Sequence, residues 1–383
     1  MNESLRRCWA EIDPAALRHN LAALREWTPE ASAVAAVVKA DAYGHGLETV
    51  VRTLAGQVTC FAVATVGEAL DVRRYDPQAR VLILGPALPE EAQAIVEHRF
   101  IPSLSSLEEA RAYDALAATH AGDGFGPLRV HLVIDTGMGR IGIWKSGALA
   151  TVEGIAALPH LALKGVSTHL PVADEDEEWT LSQLEQWRTL VRTLREATGL
   201  PLPVTHSLNS AGILRFGRGG QEGDGNGSLV RPGLMLYGCS PLPDYQSRLR
   251  PVLSWKTRIT LLRDVPQGRG ISYGRTFITP SPMRIATLGV GYGDGYPRHL
   301  SNRGAEVLVG GRRCPLLGRV TMDQVMVDVS KVPEVKPGDE AVLIGQQGQE
   351  TILAAHLAEK AGTIPWEIFT GIGRRVVRVP VEA

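Results

Sequence analysis

The sequence is poor in lysine and cysteine and carries no excess of charge of either sign. Its 383 residues include 40 basic and 41 acidic side chains. A near-neutral chain offers no electrostatic footprint for nucleic acid or an anionic membrane, so neither is an expected partner. The four cysteines lie far apart at Cys8, Cys60, Cys239 and Cys314. This spacing argues against a disulfide framework or a metal site and favours a reducing compartment.

Long apolar runs are also missing. No stretch approaches the ~18 apolar residues of a membrane span, and the N-terminal segment MNESLRRCWAEIDP lacks the apolar part of a signal peptide. We therefore expect a cytoplasmic protein. An enzyme that forms a covalent bond through a lysine amine would have few candidates, namely Lys39, Lys145, Lys164, Lys256, Lys331, Lys336 and Lys360.

Short apolar runs alternate with helical patterns from residue 33 to about residue 240. The runs lie at 33–38, 60–65, 80–85, 101–104, 129–135, 162–169, 203–207 and 234–238. Such alternation indicates βα units and a parallel sheet. Eight runs predict an α/β fold with a (β/α)8 TIM-type barrel over residues 1–242, whose site gathers at the carboxyl ends of its strands. Six strands in an open sheet is the alternative.

The pattern changes after about residue 245. Strand-like runs follow one another with Gly, Pro and Asp turns, and only TILAAHLAEKAG reads as a helix. A β-rich C-terminal domain over residues 243–383 is therefore expected. Two inserts, DEDEE at 174–178 and GRGGQEGDGNG at 217–227, are interpreted as a solvated acidic edge and a loop.

Lys39 follows the first apolar run of the expected barrel directly. A barrel places catalytic side chains at such strand ends, and apolar neighbours would favour the neutral, nucleophilic amine of a lysine. A strand-end lysine in solvent is the alternative. Gly44 and Gly46, next to Tyr43, predict a tight turn just beyond it.

The segment VVKADAYGHG strongly resembles the pyridoxal-phosphate lysine motif of the alanine racemase family. The resemblance continues in the family's order through DTGMGRIG (135–142), THL (168–170), NSAG (209–212), VRPGLMLYG (230–238), SYGRTF (272–277), GYGDGYPR (291–298), GRVTMDQVMVD (318–328) and TIPWEI (363–368). It implies a barrel that binds pyridoxal 5'-phosphate, followed by a C-terminal β-domain.

The resemblance implies an isomerase that interconverts L-alanine and D-alanine and supplies D-alanine for peptidoglycan. Lys39 would bind the cofactor covalently and exchange a proton with the substrate Cα on one face. Tyr273 of the other subunit would serve the opposite face, because racemisation needs proton removal on one side and delivery on the other. The enzyme would then be a homodimer with two shared active sites.

The resemblance also assigns the cofactor and substrate contacts. Arg231, supported by His169, would hydrogen-bond the pyridine nitrogen and keep it unprotonated, since arginine is always protonated. That favours reprotonation at Cα over transamination. The other cofactor contacts would be Tyr43, Ser210, Gly233 and Leu234 at the phosphate, Arg140 near the hydroxyl, and Trp366. The substrate carboxylate would bind Arg140 and the Met322 backbone N–H, with Tyr273 opposite Lys39 and with Tyr292 and Tyr296 at the entrance.

Two positions depart from the family pattern. Many members carry a carbamylated lysine seven residues before the arginine that matches Arg140, where this chain has Val133. We expect another acceptor or a bound anion to orient Arg140. Trp366 stands where a tyrosine hydroxyl commonly reaches the phosphate, and an indole nitrogen only donates. A shift of preference towards serine is the resulting hypothesis.

Other functions stay open at this point. A serine racemase or one of broader specificity would share every motif. A non-catalytic pyridoxal-phosphate-binding barrel would share Lys39 but lack the domain that carries Tyr273 and Met322. Related decarboxylases fit SYGRTF and VRPGLMLYG less well, and a Schiff-base aldolase explains Lys39 alone.

Overall fold

The computed structural model describes residues 6–30, 32–120, 126–217 and 228–381, so the insert at 217–227 lies, apart from Gly217, outside the described residues. The first strand, β1 (Cys8–Ile12), is followed by helix α1 (Pro14–Leu24). Asp13 caps α1, because its carboxylate accepts hydrogen bonds from the Ala15 and Ala16 N–H groups.

Eight parallel strands then form a barrel-like sheet. Its strands are β2 (Ala33–Val37), β3 (Cys60–Val63), β4 (Val81–Ile83), β5 (Ile101–Leu104), β6 (Leu128–Asp135), β8 (Leu161–Ser167), β9 (Val204–His206) and β10 (Leu229–Val230), with β7 (Ile143–Trp144) paired to β6. The order along the sheet is β10-β2-β3-β4-β5-β6-β8-β9. Its two ends meet where the Ser228 hydroxyl accepts from the Thr205 N–H and donates to the Thr205 carbonyl.

Helices lie between the barrel strands as the sequence predicts. They are α2 (Lys39–Tyr43), which is a single left-handed turn, and the α-helices α3 (Leu47–Leu54), α4 (Val66–Tyr75), α5 (Ala92–Glu97), α6 (Leu107–Ala118), α7 (Ala148–Ala156), α8 (Glu177–Thr198) and α9 (Ser210–Phe216). In α8, Leu184, Trp187, Val191 and Leu194 are buried at helical spacing. The acidic insert at 174–178 includes the start of this helix, since the Asp176 carboxylate accepts from the Trp179 N–H.

The second sheet is β-rich, as expected. It contains β1 together with β11 (Leu253–Val265), β14 (Met283–Leu288), β15 (Glu306–Val309), β16 (Arg312–Leu317), β17 (Val325–Asp328), β18 (Glu340–Gln347), β19 (Glu350–Ile352) and β20 (Val377–Pro380). A small hairpin of β12 (Gly270–Ile271) and β13 (Phe277–Ile278) lies beside it, and the helices are α10 (Ala354–Ala361) and α11 (Pro365–Gly371). One large apolar core extends through both sheets, and a smaller cluster around Ile271, Ile285 and Met326 lies in the second domain.

Three expectations need correction. The run at 234–238 is not a strand: residues Leu234–Tyr237 form a buried 3-10 helix, and the eighth strand is β10. A short apolar run without periodicity cannot distinguish a buried helix from a buried strand. The described part of the second domain has two α-helices, since α11 begins at Pro365, a residue that suits a first helical position.

The third correction concerns the chain's first strand. β1 pairs antiparallel with β11 and parallel with β20, so residues 8–12 belong to the second sheet although they fall within the segment predicted as barrel. The division at residue 242 otherwise stays a prediction. Among the described residues, we find no helix with the length and apolar character needed to cross a bilayer.

Candidate active site

A cavity of about 650 Å³ opens at the carboxyl ends of the barrel strands. Lys39 follows β2, Leu84 follows β4 and Asp135 ends β6, and all three line it. The predicted site residues in its wall are Lys39, Tyr43, Arg140, His169, Ser210, Arg231, Gly233, Leu234 and Trp366. Residues separated by more than 300 positions in the chain therefore meet in one concave site, which is the usual form of a small-molecule site.

The turn after Lys39 is left-handed. Ala40, Asp41, Ala42 and Tyr43 all have φ of 53°, and Gly44 has φ of 75°. This conformation costs roughly 1–2 kcal/mol for each residue that carries a Cβ. Such strain persists where the surrounding structure holds it, and it is characteristic of functional sites. The sequence predicts a tight turn at the two glycines, whereas the structure extends it back to the residue beside Lys39.

Two side chains far from this turn in sequence hold it in place. The Glu68 carboxylate accepts from the Ala40 N–H at 2.6 Å with one oxygen, and from the Ala64 and Thr65 N–H groups with the other. Arg378, in β20, donates to the Gly44 carbonyl at 2.9 Å. The same guanidinium donates to the carbonyls of residues 372, 373 and 376, so it joins the turn to the second domain.

Sequence reasoning missed both residues. Glu68 has a visible signal, because Thr65 and Glu68 form a capping box at the start of α4. A capping box predicts where a helix begins, but it does not predict a contact between Glu68 and the turn after Lys39. Arg378 has no local signal, since its role arises only when β20 pairs with β1.

The environment of Lys39 favours its neutral amine. Burial lowers the pKa of Lys39, and the positive charge of Arg140 lowers it further, while Glu68 acts in the opposite sense. The direction agrees with the expectation from the apolar strand. A lowered pKa makes loss of the ammonium proton easier, and the neutral amine that results is the form that acts as a nucleophile or a base.

Arg231 is buried in the cavity wall and is held by several acceptors. Its guanidinium donates to the Thr168 carbonyl at 2.7 Å and to the His206 carbonyl at 2.8 Å, and it also contacts the His206 Nδ1. The predicted supporter, His169, is more distant, with its Nδ1 at 3.4 Å. Burial lowers the pKa of Arg231 to about 10, so the side chain still carries its proton at neutral pH.

A second histidine continues the contact away from the cavity. The His206 Nε2 lies 2.9 Å from the His131 Nδ1. Because arginine only donates, the His206 Nδ1 must accept, which leaves the proton of the neutral ring on Nε2, facing His131. Burial, with the Arg231 charge, lowers the pKa of His131 to about 4 and that of His206 well below its usual value. Both rings are therefore neutral near pH 7.

Ser210 and Gly233 form a small polar cradle. The Ser210 hydroxyl accepts from the Gly233 N–H at 3.0 Å and from the Met235 N–H at 3.3 Å. A Cβ at position 233 would lie 2.6 Å from the Tyr43 hydroxyl, so glycine is needed for this close approach. Asn209 supports the cradle from behind, since its side chain caps α9 and donates to the Leu170 carbonyl.

Arg140 faces the cavity without a protein acceptor. Within the described ranges, its guanidinium makes no hydrogen bond and no ion pair. Val133 stands where the family pattern often has a carbamylated lysine. It also lines the cavity and packs against Gly142. The sequence leaves two candidates for orienting Arg140, another protein acceptor or a bound anion. The described part of the structure provides no protein acceptor.

Three predicted site residues do not line the cavity. Tyr273, Met322 and Tyr292 lie on the surface of the second domain with 71%, 53% and 42% of their area exposed. Met322 and Tyr292 are neighbours, because the Gly293 N–H donates to the Met322 carbonyl at 2.8 Å. A single chain thus holds two separate groups of predicted site residues.

Tyr296 is placed differently from the prediction. It is fully buried, with its ring 5.8 Å from that of Trp255, so it belongs to the core and does not line an entrance. The missed residue here is Arg375, which binds the buried Asp294 and the exposed Asp323 at 2.8 Å each. Those two carboxylates flank Tyr292 and Met322 in sequence, so Arg375 fixes the loops that present them.

The chain matches two family models, the alanine racemase N-terminal domain over residues 12–241 and the alanine racemase C-terminal domain over residues 252–380. The chain belongs to the alanine racemase family. The motif resemblance, the fold and the class of enzyme, an isomerase, are thereby confirmed.

Individual relatives of the alanine racemase family match along their whole length. The alanine racemase of Halothermothrix orenii is 42% identical, with 99% of this chain and 98% of the relative covered. That of Carboxydothermus hydrogenoformans is 40% identical, with 98% and 100% covered. The structure of alanine racemase from Streptomyces coelicolor A3(2) superposes with a TM-score of 0.88 at 34% identity over the full length of both chains. That of the Bacillus anthracis alanine racemase with bound L-Ala-P gives 0.85 at 35% identity, covering 98% and 95%.

Proposed function

We propose that the protein racemises alanine with pyridoxal 5'-phosphate, in a homodimer that combines Lys39 of one subunit with Tyr273 of the other. The observation that carries this proposal is the convergence of Lys39, Arg231 and the Ser210–Gly233 cradle on one cavity. Supply of D-alanine for peptidoglycan would be its role in the cell, as in the motif-based expectation.

The residues present fit the cofactor. The cradle and the Tyr43 hydroxyl would hold the phosphate, Arg231 would donate to the ring nitrogen, and Lys39 would attach the carbonyl carbon. Arg140 would lie near the ring hydroxyl and the substrate carboxylate. When bound, the cofactor supplies an electron-withdrawing ring that stabilises negative charge at the substrate Cα.

Arg231 determines how far that charge spreads. It keeps its proton at neutral pH and makes contacts to carbonyl oxygens and a neutral histidine that fix its orientation. Because arginine does not transfer its proton, a ring nitrogen held by Arg231 would stay unprotonated. Arg231 would therefore favour return of a proton to Cα, which is racemisation, over transamination.

Proton transfer needs a group on each face of Cα. The neutral amine of Lys39 would serve one face. Tyr273 would serve the other from a second subunit, which is consistent with its exposure and its absence from the cavity wall of its own chain. Met322 would arrive with it, and its backbone N–H donates to no acceptor within the described part of the chain, so it is available for a carboxylate.

Trp366 supports a second candidate, a racemase that accepts serine. The indole is half-buried in the cavity wall, where the family commonly has a tyrosine. Its larger ring changes the shape of the cavity beside the cradle, and its nitrogen can donate a hydrogen bond but cannot accept one. A non-catalytic cofactor-binding protein is the weaker alternative, because it explains neither Tyr273 nor Met322.

The experiment is chiral chromatography after incubation of the purified holoenzyme with L-alanine or L-serine. We expect D-alanine to form, and Lys39→Ala to abolish both the reaction and the yellow colour of the bound cofactor. The absence of D-alanine with a fully loaded protein would refute the proposal. Faster formation of D-serine would select the second candidate.

A further inference from the structure

A second cavity, of about 270 Å³, lies at the opposite end of the barrel from Lys39. Ile101 begins β5, Leu128 begins β6 and Arg80 directly precedes β4, whereas the Lys39 cavity lies beyond the ends of these parallel strands. Four arginines contribute to its wall: Arg73, Arg80, Arg99 and Arg129. We call it the arginine cavity.

Among the residues that the structure describes, no aspartate or glutamate lines the arginine cavity. Arg80 and Arg129 are exposed and make no ion pair in the described part of the chain. The composition does not force this, since 41 acidic residues are present and other arginines, such as Arg52 and Arg313, pair with glutamates. Like charges gathered in a concave surface repel one another unless an anion joins them.

Two of the arginines are held in fixed positions. Arg99 donates to the carbonyls of Gly126 and Pro127 at 2.7 and 3.1 Å. The Arg73 guanidinium lies over the Phe100 ring, with its Cζ 5.4 Å from the ring centre. Both side chains therefore line the cavity from fixed positions.

We propose that the arginine cavity binds a small phosphate-bearing anion. Guanidinium groups match the geometry of phosphate oxygens and bind them through paired hydrogen bonds. Ile101 and Leu128 give the wall an apolar part, against which the carbon portion of a phosphate ester would pack. The volume is slightly below the range of drug-sized sites, ~300–1,000 Å³, so the ligand is small. The proposal is independent of the racemase reaction.

Isothermal titration of the holoenzyme tests this site. The enzyme is saturated with cofactor, so that its own phosphate cradle is filled, and unbound cofactor is removed by gel filtration. It is then titrated with inorganic phosphate or with glycerol 3-phosphate at constant ionic strength. Glycerol and chloride are the ligand controls. We expect saturable binding of phosphate compounds at one site per chain and none for the controls. Tighter binding of glycerol 3-phosphate would identify an ester, and equal affinity would identify a free oxyanion.

Substitutions locate the binding. Arg80→Gln and Arg129→Gln should each weaken binding about tenfold, because each removes one charge-assisted contact. Arg111→Gln is the matched control, since Arg111 is exposed on α6 and makes no hydrogen bond or ion pair among the described residues. If a glutamine variant fails to melt cooperatively, Arg80→Lys and Arg129→Lys keep the charge but lose the paired geometry and should weaken binding less. Absence of saturable binding, or equal affinity in the wild type and the folded Arg80 and Arg129 variants, would overturn the proposal.

Discussion

Two substitutions placed on the same subunit or on different subunits distinguish a shared active site from one within a single chain. The substitutions are Lys39→Ala and Tyr273→Phe. Lys39 lines the barrel cavity, whereas Tyr273 is 71% exposed on the second domain and does not reach that cavity in its own chain. Co-expression of two differently tagged chains allows each heterodimer to be purified.

The expected activities follow from the two-fold symmetry of a dimer. When one chain carries Lys39→Ala and the other Tyr273→Phe, one site contains both defects and the other contains none. Such a heterodimer should keep about half of the wild-type kcat per dimer. When both substitutions are on one chain and its partner is wild type, each site contains one defect, and almost no activity should remain.

The assay is the rate of D-alanine formation, with cofactor content measured on the same sample. The two heterodimers contain the same substitutions in the same number, so differences in folding or expression cannot produce opposite results. If Tyr273 acted within its own chain, the pattern would reverse, with half activity only in the dimer that has one wild-type chain. Equal activity of the two heterodimers would show that Tyr273 has no catalytic role.

Three further predictions concern the surroundings of Lys39. Glu68→Gln should destabilise the protein by about 1–2 kcal/mol in urea unfolding, because both Glu68 oxygens accept hydrogen bonds from N–H groups and an amide nitrogen cannot. The control is Glu48→Gln, in an exposed ion pair, which should cost only about a few tenths of a kcal/mol. Equal effects of the two substitutions would contradict the role assigned to Glu68. Since the pKa of His131 is lowered to about 4 in the folded chain, the unfolded chain binds its proton first, and this contribution to stability should fall as pH drops from about 6.5 towards 4, by up to about 1.4 kcal/mol per pH unit. His131→Gln should reduce that slope in urea titrations at stepped pH, whereas substitution of the exposed His299 should not. Trp366→Tyr should raise kcat/KM for alanine relative to serine by about tenfold, and an unchanged ratio would show that the indole does not set the preference.

The barrel could be predicted because its strands are continuous apolar runs that turn signals separate. Seven of the predicted runs overlap β2, β3, β4, β5, β6, β8 and β9. The run at 234–238 failed because a fully buried 3-10 helix is as apolar as a buried strand. The position of β1 in the second sheet depends on pairing with residues more than 240 positions away, which no local pattern contains.

The wall of the candidate site could be predicted because family motifs mark it residue by residue. The support behind that wall could not. His206 ends an ordinary short strand, and its contact with Arg231 exists only because β9 and β10 close the barrel. Glu68, Arg375 and Arg378 act by hydrogen bonds to distant backbone or to distant carboxylates, and their sequence neighbourhoods resemble those of any surface charge.

The hydrogen bond from Arg378 to the turn after Lys39 has a consequence for synthesis of the protein. A ribosome adds Lys39 to the chain 339 residues before Arg378, which holds the lysine turn from the second domain. β1 likewise cannot pair until its partner strands β11 and β20 have been synthesised. The nascent chain therefore lacks one of the contacts of the lysine turn until Arg378 has been added, and a chain that stops before Arg378 never forms it.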